Sequence, residues 1–322
     1  MHEKILSCDW GTSSFRLLLI DIASGKIIAE SFSDEGIALV YALWKNSGND
    51  ERKRIDFYLA VIREHIHKIE QYIKSSTANT PVIISGMASA TIGMMELPYA
   101  TFPFSLNGEN LQYKKLEKTN AFDHDAVIIS GVQTDADVMR GEETQLMGCA
   151  GNETTAKQLF IFTGTHAKHV SAMNGKAVDL TTYMTGEFFE LLSKKSILSD
   201  SVAAGESIEK NENKKAFEQG VKDSLQHNLL HSSFMVRTNQ LFKRFSKSGN
   251  YFYLSGLLIG TELNQLPGKE GGALIIVGEQ KLVMNYLLAL KVLGIDKNVT
   301  TENAATATIL GQIKIYKRLY NS

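Results

Sequence analysis

Residues 9–13 read Asp9-Trp10-Gly11-Thr12-Ser13, which sets a carboxylate beside a glycine and two hydroxyls. A phosphate needs many hydrogen-bond donors on a backbone it can approach closely, and Gly, Thr and Ser supply that. Gly11 permits a tight turn and Thr12 and Ser13 offer hydroxyl and backbone donors. Asp9 is placed to hold Mg2+ through water, because that ion favours a carboxylate plus retained waters. Taken alone, the segment also fits an ordinary polar hairpin turn. A second segment of the same make-up, Thr163-Gly164-Thr165-His166-Ala167-Lys168, adds Gly164, Thr165 and His166 as phosphate-loop candidates. Lys168 there fits either a point charge on a phosphate or a solvated turn lysine.

The run Asp137-Val138-Met139-Arg140-Gly141-Glu142-Glu143-Thr144-Gln145 concentrates acids around one arginine. Phosphoryl transfer to an alcohol asks for a carboxylate to take the hydroxyl proton and for groups that neutralise charge. Asp137, Glu142 and Glu143 each qualify as the base, although acids in a helix's first turn are also favoured by its dipole alone. Ser255-Gly256-Leu257 and Val277-Gly278-Glu279 are candidates for the adenosine side of a nucleotide site at glycine-containing helix starts, or for close helix packing. His166 and His169 have HxxH spacing with no third ligand nearby, which gives no zinc site. Neither a Walker A sequence nor a protein-kinase glycine loop is present.

The elements that must carry these residues follow from patterning. Lys4 to Cys8, Phe15 to Ile20 and Lys26 to Phe32 read as three strands of a meander. Ile55, Leu59, Ile62, Ile66, Ile69 and Ile73 recur at helical spacing within a helix over about 50–74. Residues 81–86 and 126–131 are β-branched runs ending in Ser-Gly, as expected of buried parallel strands whose C-terminal ends meet a ligand. A helix over about 141–149 precedes the polar stretch 151–155, taken as the boundary between lobes 1–152 and 153–322. The second lobe restarts with a strand at 158–162, the turn at 163–166 and a strand at 169–173. Helices are expected over about 186–198, 213–230, 251–266, 279–293 and 303–320, with a buried strand at 272–278.

Composition narrows the class. The 322 residues, at roughly 150 per domain, suffice for two lobes with their own cores. With 34 Lys+Arg against 35 Asp+Glu, the net charge of −1 gives no electrostatic case for nucleic-acid binding. No apolar run reaches the ~18 residues of a membrane span, and the N-terminus lacks signal-peptide architecture, so the expected place is the cytoplasm. Cys8 and Cys149 form no CxxC pair and are read as buried small hydrophobes. Oligomeric state has no signature.

Two Gly-Thr hairpins, each opening a lobe, suggest two phosphate clamps facing across a cleft, which resembles the actin, hexokinase and Hsp70 ATPase superfamily. The segments 9–13 with Arg16, 137–145, 164–168, Thr185-Gly186-Glu187 with Ser196-Ile197-Leu198, and Ser255 to Gly260 together resemble the 2-dehydro-3-deoxygalactonokinase family. The resemblance implies an α/β, two-lobed ribonuclease H-like fold with an interlobe cleft that closes over its ligands. It also implies ATP-dependent, Mg2+-requiring phosphorylation of the 6-hydroxyl of 2-dehydro-3-deoxy-D-galactonate in galactonate breakdown. On that basis Asp9, Gly11, Thr12 and Ser13 form the first phosphate loop and Gly164, Thr165, His166 and Lys168 the second. Arg16 and Arg140 partner a substrate carboxylate or the transferring phosphate, and Gly86, Met87 and Tyr99 lie on the sugar-acid side. The family's Gly-Ser-Arg-Gln-Gly-Trp run is altered, with Thr91, Ile92 and Met94 replacing Arg, Gln and Trp, and His169 replaces a Trp. A same-fold kinase with another keto-sugar acid or polyol, and a nucleotide-binding protein without turnover, are the alternatives.

Overall fold

The structure is a computed structural model and describes residues 2–48, 50–149, 155–204, 207–266 and 272–320. Contacts group the chain into two compact units: 1–155 with 172–180 and 304–322, and 156–171 with 181–303. The expected lobe boundary at 152/153 lies outside the described residues.

In chain order the first unit begins with β1 (Lys4–Trp10), β2 (Phe15–Asp21), β3 (Ile27–Ser33), α1 (Ile37–Asn46), α2 (Arg54–Ile73) and β4 (Val82–Gly86). Next come β5 (Ala100–Thr101), β6 (Phe104–Ser105), β7 (Tyr113–Leu116), β8 (Ala126–Ile129), β9 (Val132–Gln133), β10 (Val138–Met139) and α3 (Glu142–Cys149). The chain then runs through β11 (Gln158–Phe162), β12 (Ala167–Met173), β13 (Lys176–Tyr183), α4 (Thr185–Lys195), α5 (Asn211–Gln226), α6 (Leu229–Leu241) and α7 (Lys247–Leu263). It ends with β14 (Ala273–Gly278), α8 (Gln280–Leu293), β15 (Val299–Asn303) and α9 (Ala304–Tyr320).

One sheet has the order β3-β2-β1-β4-β8-β7 and another β13-β12-β11-β14-β15, extended by β6 beyond β13. Each therefore holds an antiparallel meander followed by two parallel strands, in the same 3-2-1-4-5 order. The repeat is the signature of the ribonuclease H-like, actin/hexokinase-type fold. Lys176 and Ala177, at the tip of the β12–β13 hairpin, pair with Ser105 and Phe104 within the first unit.

In the first unit, Tyr58, Leu59, Ile62, Ile66 and Ile69 of α2 pack on the inner residues of β1, β2 and β4, where Leu6, Cys8, Leu17 and Ile84 are buried. In the second, α5, α7 and α8 build the core with Phe217, Ile259, Tyr286 and Ile276. Cys8 is buried as expected, but Cys149, at the end of α3, is only half-buried.

Several expectations are corrected. A helix forms at 37–46, where none was expected, with Ile37, Val40 and Trp44 buried. The helix expected over 213–230 ends at Gln226, and a further helix that was not expected, α6, starts at Leu229, where the Asn228 side chain accepts from Leu230 and His231 N–H. Ser246 similarly caps α7 by accepting from Gly249 N–H, so that helix begins before Tyr251. Among the described residues no helix is long and apolar enough to cross a membrane.

Candidate active site

In the first unit the loop after β1 is fastened from behind. Gly11 N–H donates to Ser14 O, closing the turn, while Ile37 and Ala38 N–H of α1 donate to Gly11 and Thr12 carbonyls. Those bonds satisfy donors at the α1 start and fix the loop's peptide planes. Thr12 and Ser13 remain exposed. Gly36 makes the contact possible, since a Cβ there would stand 2.3 Å from Thr12 O. Trp10 is buried, T-stacked on Phe15 and Tyr58, with its indole N–H on Glu35 O.

Asp9 and Arg16 face each other as partners on β1 and β2. They line a pocket of about 390 Å³ with Ser14, Phe15, Phe32, Ser33 and Asp34. Burial pushes the Asp9 carboxyl above its ordinary range, and the Arg16 guanidinium pulls it back in part. One carboxylate suits Mg2+, which commonly takes one or two protein oxygens beside water and phosphate. Among the described residues no group of three or more His, Cys, Asp or Glu is arranged for a metal.

Beside β1, the Gly86 backbone takes φ +87°, and a Cβ there would lie 2.6 Å from Trp10 O. Gly141, at φ +102°, approaches Gly86 closely. These glycines bring residues 140–143 against the C-terminal end of β4. Arg140 Nη1 donates to Ser89 Oγ at 2.5 Å, and its guanidinium lies 4.4 Å from the Tyr99 ring centre. Tyr99 in turn lies over Gly131, where a Cβ would meet its ring at 2.8 Å. Met87 sits in the short helical turn 87–89 and packs on the first unit's core.

The three acids of this run do different things. Glu142 accepts from Arg140 N–H at 2.9 Å and is half-buried. Glu143 is fully buried, accepts from Gly141 N–H at 2.6 Å and from Thr144 Oγ1 at 3.0 Å. Burial and the neighbouring Glu142 carboxylate raise its carboxyl to about 8. Asp137 stands in the β9–β10 turn, where its Oδ1 accepts from Val138 N–H and its own N–H donates to Thr134 Oγ1. It borders an open pocket of about 510 Å³ lined by residues 133–138.

The Ser-Gly ends of the two parallel strands are structural. Ser85 Oγ accepts from Gln312 Nε2, and Ser130 Oγ donates to Gly131 O. Two of the three altered positions in the run 91–94 pack inward. Met94 is buried in the first unit's core and Ile92 packs against it. The backbone there is held from α2, with Arg54 Nε on Gly93 O at 2.9 Å and Tyr58 OH on Ile92 O at 2.6 Å. Thr91 is exposed and donates to Glu96.

The second unit repeats the first arrangement. Thr163 N–H donates to Val277 O and Glu187 N–H to Thr165 O. Gly186 at the start of α4 lies where a Cβ would meet Gly164 O at 2.5 Å, as Gly36 does at the first loop. His166 is exposed and bonded to the Glu187 carboxylate. The turn ends at His166 as expected, but β12 begins at Ala167, two residues before the expected strand start, so Lys168 is inside β12. Its ammonium is buried and donates to Thr182 Oγ1 at 2.8 Å. Gly278 ends β14, where a Cβ would lie 1.9 Å from Thr163 Oγ1. Gly256 is not at a helix start. It stands in the middle of α7, and a Cβ there would lie 2.1 Å from Phe217 O of α5, so packing of the two helices accounts for it.

Sequence reasoning missed Gly36, Ser89 and Glu262, whose carboxylate holds Thr185, His169 and Tyr286. Only Gly36 carried a signal, as a glycine just past a strand. Gly11 and Gly164 differ from Gly36 and Gly186, the glycines that brace the two loops. Neither takes positive φ, a Cβ at Gly164 would meet nothing within 4 Å, and at Gly11 it would make only ordinary contact with Ser14.

A protein-family model described as 2-keto-3-deoxy-galactonokinase matches residues 9–313. The chain is 31% identical over 296 residues to a Rhizobium meliloti (strain 1021) protein named "Probable 2-dehydro-3-deoxygalactonokinase DgoK1", covering 89% of each. It is 31% identical over 236 residues to the 2-dehydro-3-deoxygalactonokinase of Escherichia coli (strain K12), covering 70% of this chain and 75% of that one. A crystal structure of a Sinorhizobium meliloti protein described under the same enzyme name superposes with a TM-score of 0.81 at 29% identity, covering 99% of this chain and 100% of the other. The chain belongs to the 2-keto-3-deoxy-galactonokinase family.

Proposed function

We propose that this chain is a cytoplasmic, ATP-dependent kinase that phosphorylates the 6-hydroxyl of 2-dehydro-3-deoxy-D-galactonate in galactonate breakdown. The observation that carries the reading, beside family membership, is the paired build of the loops at 11–14 and 163–166. Each is braced from behind by a glycine at a helix start, and each bears a forward glycine that the fold itself does not require. Close approach by a phosphate explains such a glycine.

Bound Mg·ATP supplies the transferable phosphoryl group and a cation that neutralises its charge. Asp9 would hold the ion, and Thr12, Ser13 and Thr165 carry hydroxyls and backbone N–H suited to phosphate oxygens. Arg140, held over the Tyr99 ring and tied to Ser89, presents its guanidinium to the sugar-acid carboxylate or to the transferring group. The base is a half-exposed acid, Asp137 or Glu142, because Glu143 is buried and occupied with the Gly141 turn. In the reaction the substrate 6-oxygen forms a bond to the γ-phosphorus, its proton passes to that carboxylate, and ADP leaves. Ile92 and Met94 pack toward the core, so of the three altered positions Thr91 is the one with an exposed side chain.

The test is acceptor-dependent ADP release with Mg·ATP against 2-keto-3-deoxygalactonate, 2-keto-3-deoxygluconate, galactonate and plain hexoses. Preference for the first is expected, and no acceptor-dependent release would overturn the reading. Gly164→Val tests the phosphate loop, since the added side chain enters open space. Its KM for ATP should rise at least about tenfold with an unchanged melting temperature, as expected of a side chain that obstructs a ligand and not the fold.

A further inference from the structure

One carboxylate of the second unit is almost wholly buried. Glu262 is 2% exposed and lies in the last turn of α7, where the helix dipole disfavours an acid. Burying an ionised carboxylate is costly unless hydrogen bonds replace its water, and here donors come from three other elements. His169 Nε2 of β12 lies 2.8 Å from Oε1. Tyr286 OH of α8 donates to Oε2 at 2.8 Å, and Thr185 Oγ1, in the first residue of α4, donates to the same oxygen. The Tyr286 hydroxyl is held well above its ordinary pKa by burial and by this carboxylate.

Two of those three donors lie on the flanks of the loop at 163–166. His169 belongs to the strand that leaves it. Thr185 precedes Gly186, which sits against Gly164 O and Thr165, and Glu187, whose N–H donates to Thr165 O and whose carboxylate holds His166. Tyr286 makes the same kind of bond to Glu262 but comes from α8, away from those residues in the chain.

We infer that Glu262 is a positioning residue for nucleotide binding: through Thr185 it holds the first turn of α4 against the loop at 163–166 and so sets that loop's backbone donors. The inference rests on reading the loop as a nucleotide-phosphate loop. It assigns no contact between Glu262 and substrate.

The two hydroxyl donors to Oε2 give the test its control. Thr185→Val and Tyr286→Phe each delete one hydroxyl with little change of shape, yet only Thr185 leads to the loop. For Thr185→Val, loss of a hydrogen bond to a charged group should raise the KM for Mg·ATP, and the Kd of a fluorescent ATP analogue, about tenfold. The KM for the sugar acid should stay within about twofold, and Thr185→Ser should restore the ATP values. Tyr286→Phe should leave both KM values within about twofold, whatever it does to the melting temperature. Equal effects of Thr185→Val and Tyr286→Phe on ATP, or equal rises for ATP and sugar acid, would overturn the inference and leave a role in core stability. Gly164→Val separates the two failures: if it leaves the KM for ATP unmoved, the phosphate-loop reading itself fails. If it raises that KM while Thr185→Val does not, only the role of Glu262 falls.

Discussion

Glu143 shows how neighbouring acids of one sequence run separate in character. Its ordinary carboxyl range is near 4.5, and in the fold it titrates at about 8, so at neutral pH it is largely protonated. The folded protein therefore holds a proton that the unfolded chain has released. The stability from this site is complete below about pH 4.5 and is lost as pH rises through about 8. Glu143→Gln imitates the neutral acid, keeps an acceptor for Gly141 N–H and removes the titration. Thermal melts between pH 5 and 9 should show wild type losing stability relative to this variant as pH rises, by on the order of a few kcal/mol. Activity at pH 7 should be nearly retained. Parallel pH profiles would contradict the assignment. Arg140→Lys tests the neighbouring cation: it keeps the charge and loses the planar guanidinium over Tyr99. We expect kcat/KM for the sugar acid to fall by about 10- to 100-fold, as befits loss of a planar, two-pronged donor, with the KM for ATP little changed in steady-state assays.

At the scale of elements, the two loops depend on helix starts that brace them. Gly36→Ala would place a methyl 2.3 Å from Thr12 O, against backbone that cannot swing aside. It should raise the KM for ATP by at least about tenfold, as a small misplacement of a binding group does, and steady-state kinetics would show it. Wild-type values would mean that α1 does not set the loop. Asn228→Ala removes the cap of α6 and should cost about 1 kcal/mol, read as a lowered unfolding midpoint with kinetics unchanged. These elements were unevenly legible. The strands around both loops and the helical spacing of α2 were plain because apolar residues recur at one clear period. The helix at 37–46 was not, since apolar residues surround it and Leu39 and Leu43 remain exposed. The strand Val299–Asn303 was missed because it is mostly exposed and polar, although it pairs in parallel with β14. Asn228 was passed over because the apolar spacing continues across it, and a cap is a hydrogen bond and not a period.

At the scale of the whole molecule, a repeated 3-2-1-4-5 sheet puts a Gly-Thr loop after the first strand of each unit. That repeat was visible as two similar segments 153 positions apart, Gly11-Thr12 and Gly164-Thr165. What was not visible is which glycines serve the fold and which leave room for a ligand, because the letter is the same. Gly256 answers to helix packing, Gly36 and Gly186 to bracing, and Gly164 to neither. Similarly, the acids of residues 137–145 could be recognised as a set, but their division needed burial and bonding. Glu143 turned inward to its own turn, while Asp137 and Glu142 stayed half-exposed. Single Asp137→Asn and Glu142→Gln variants should divide accordingly, one losing about 100-fold or more in kcat, within the range for a general base, and the other far less. Comparable kcat values for wild type and both variants would remove the base from this segment.

The most direct measurement is the identity of the product. The protein is incubated with Mg·ATP and 2-keto-3-deoxygalactonate, and the product is read by mass and by phosphorus–proton correlation in NMR. The account predicts one added phosphoryl group, coupled to the protons at C6, formed with one ADP per product. ADP release with the acceptor unchanged, or a phosphoryl group at another oxygen, would contradict it.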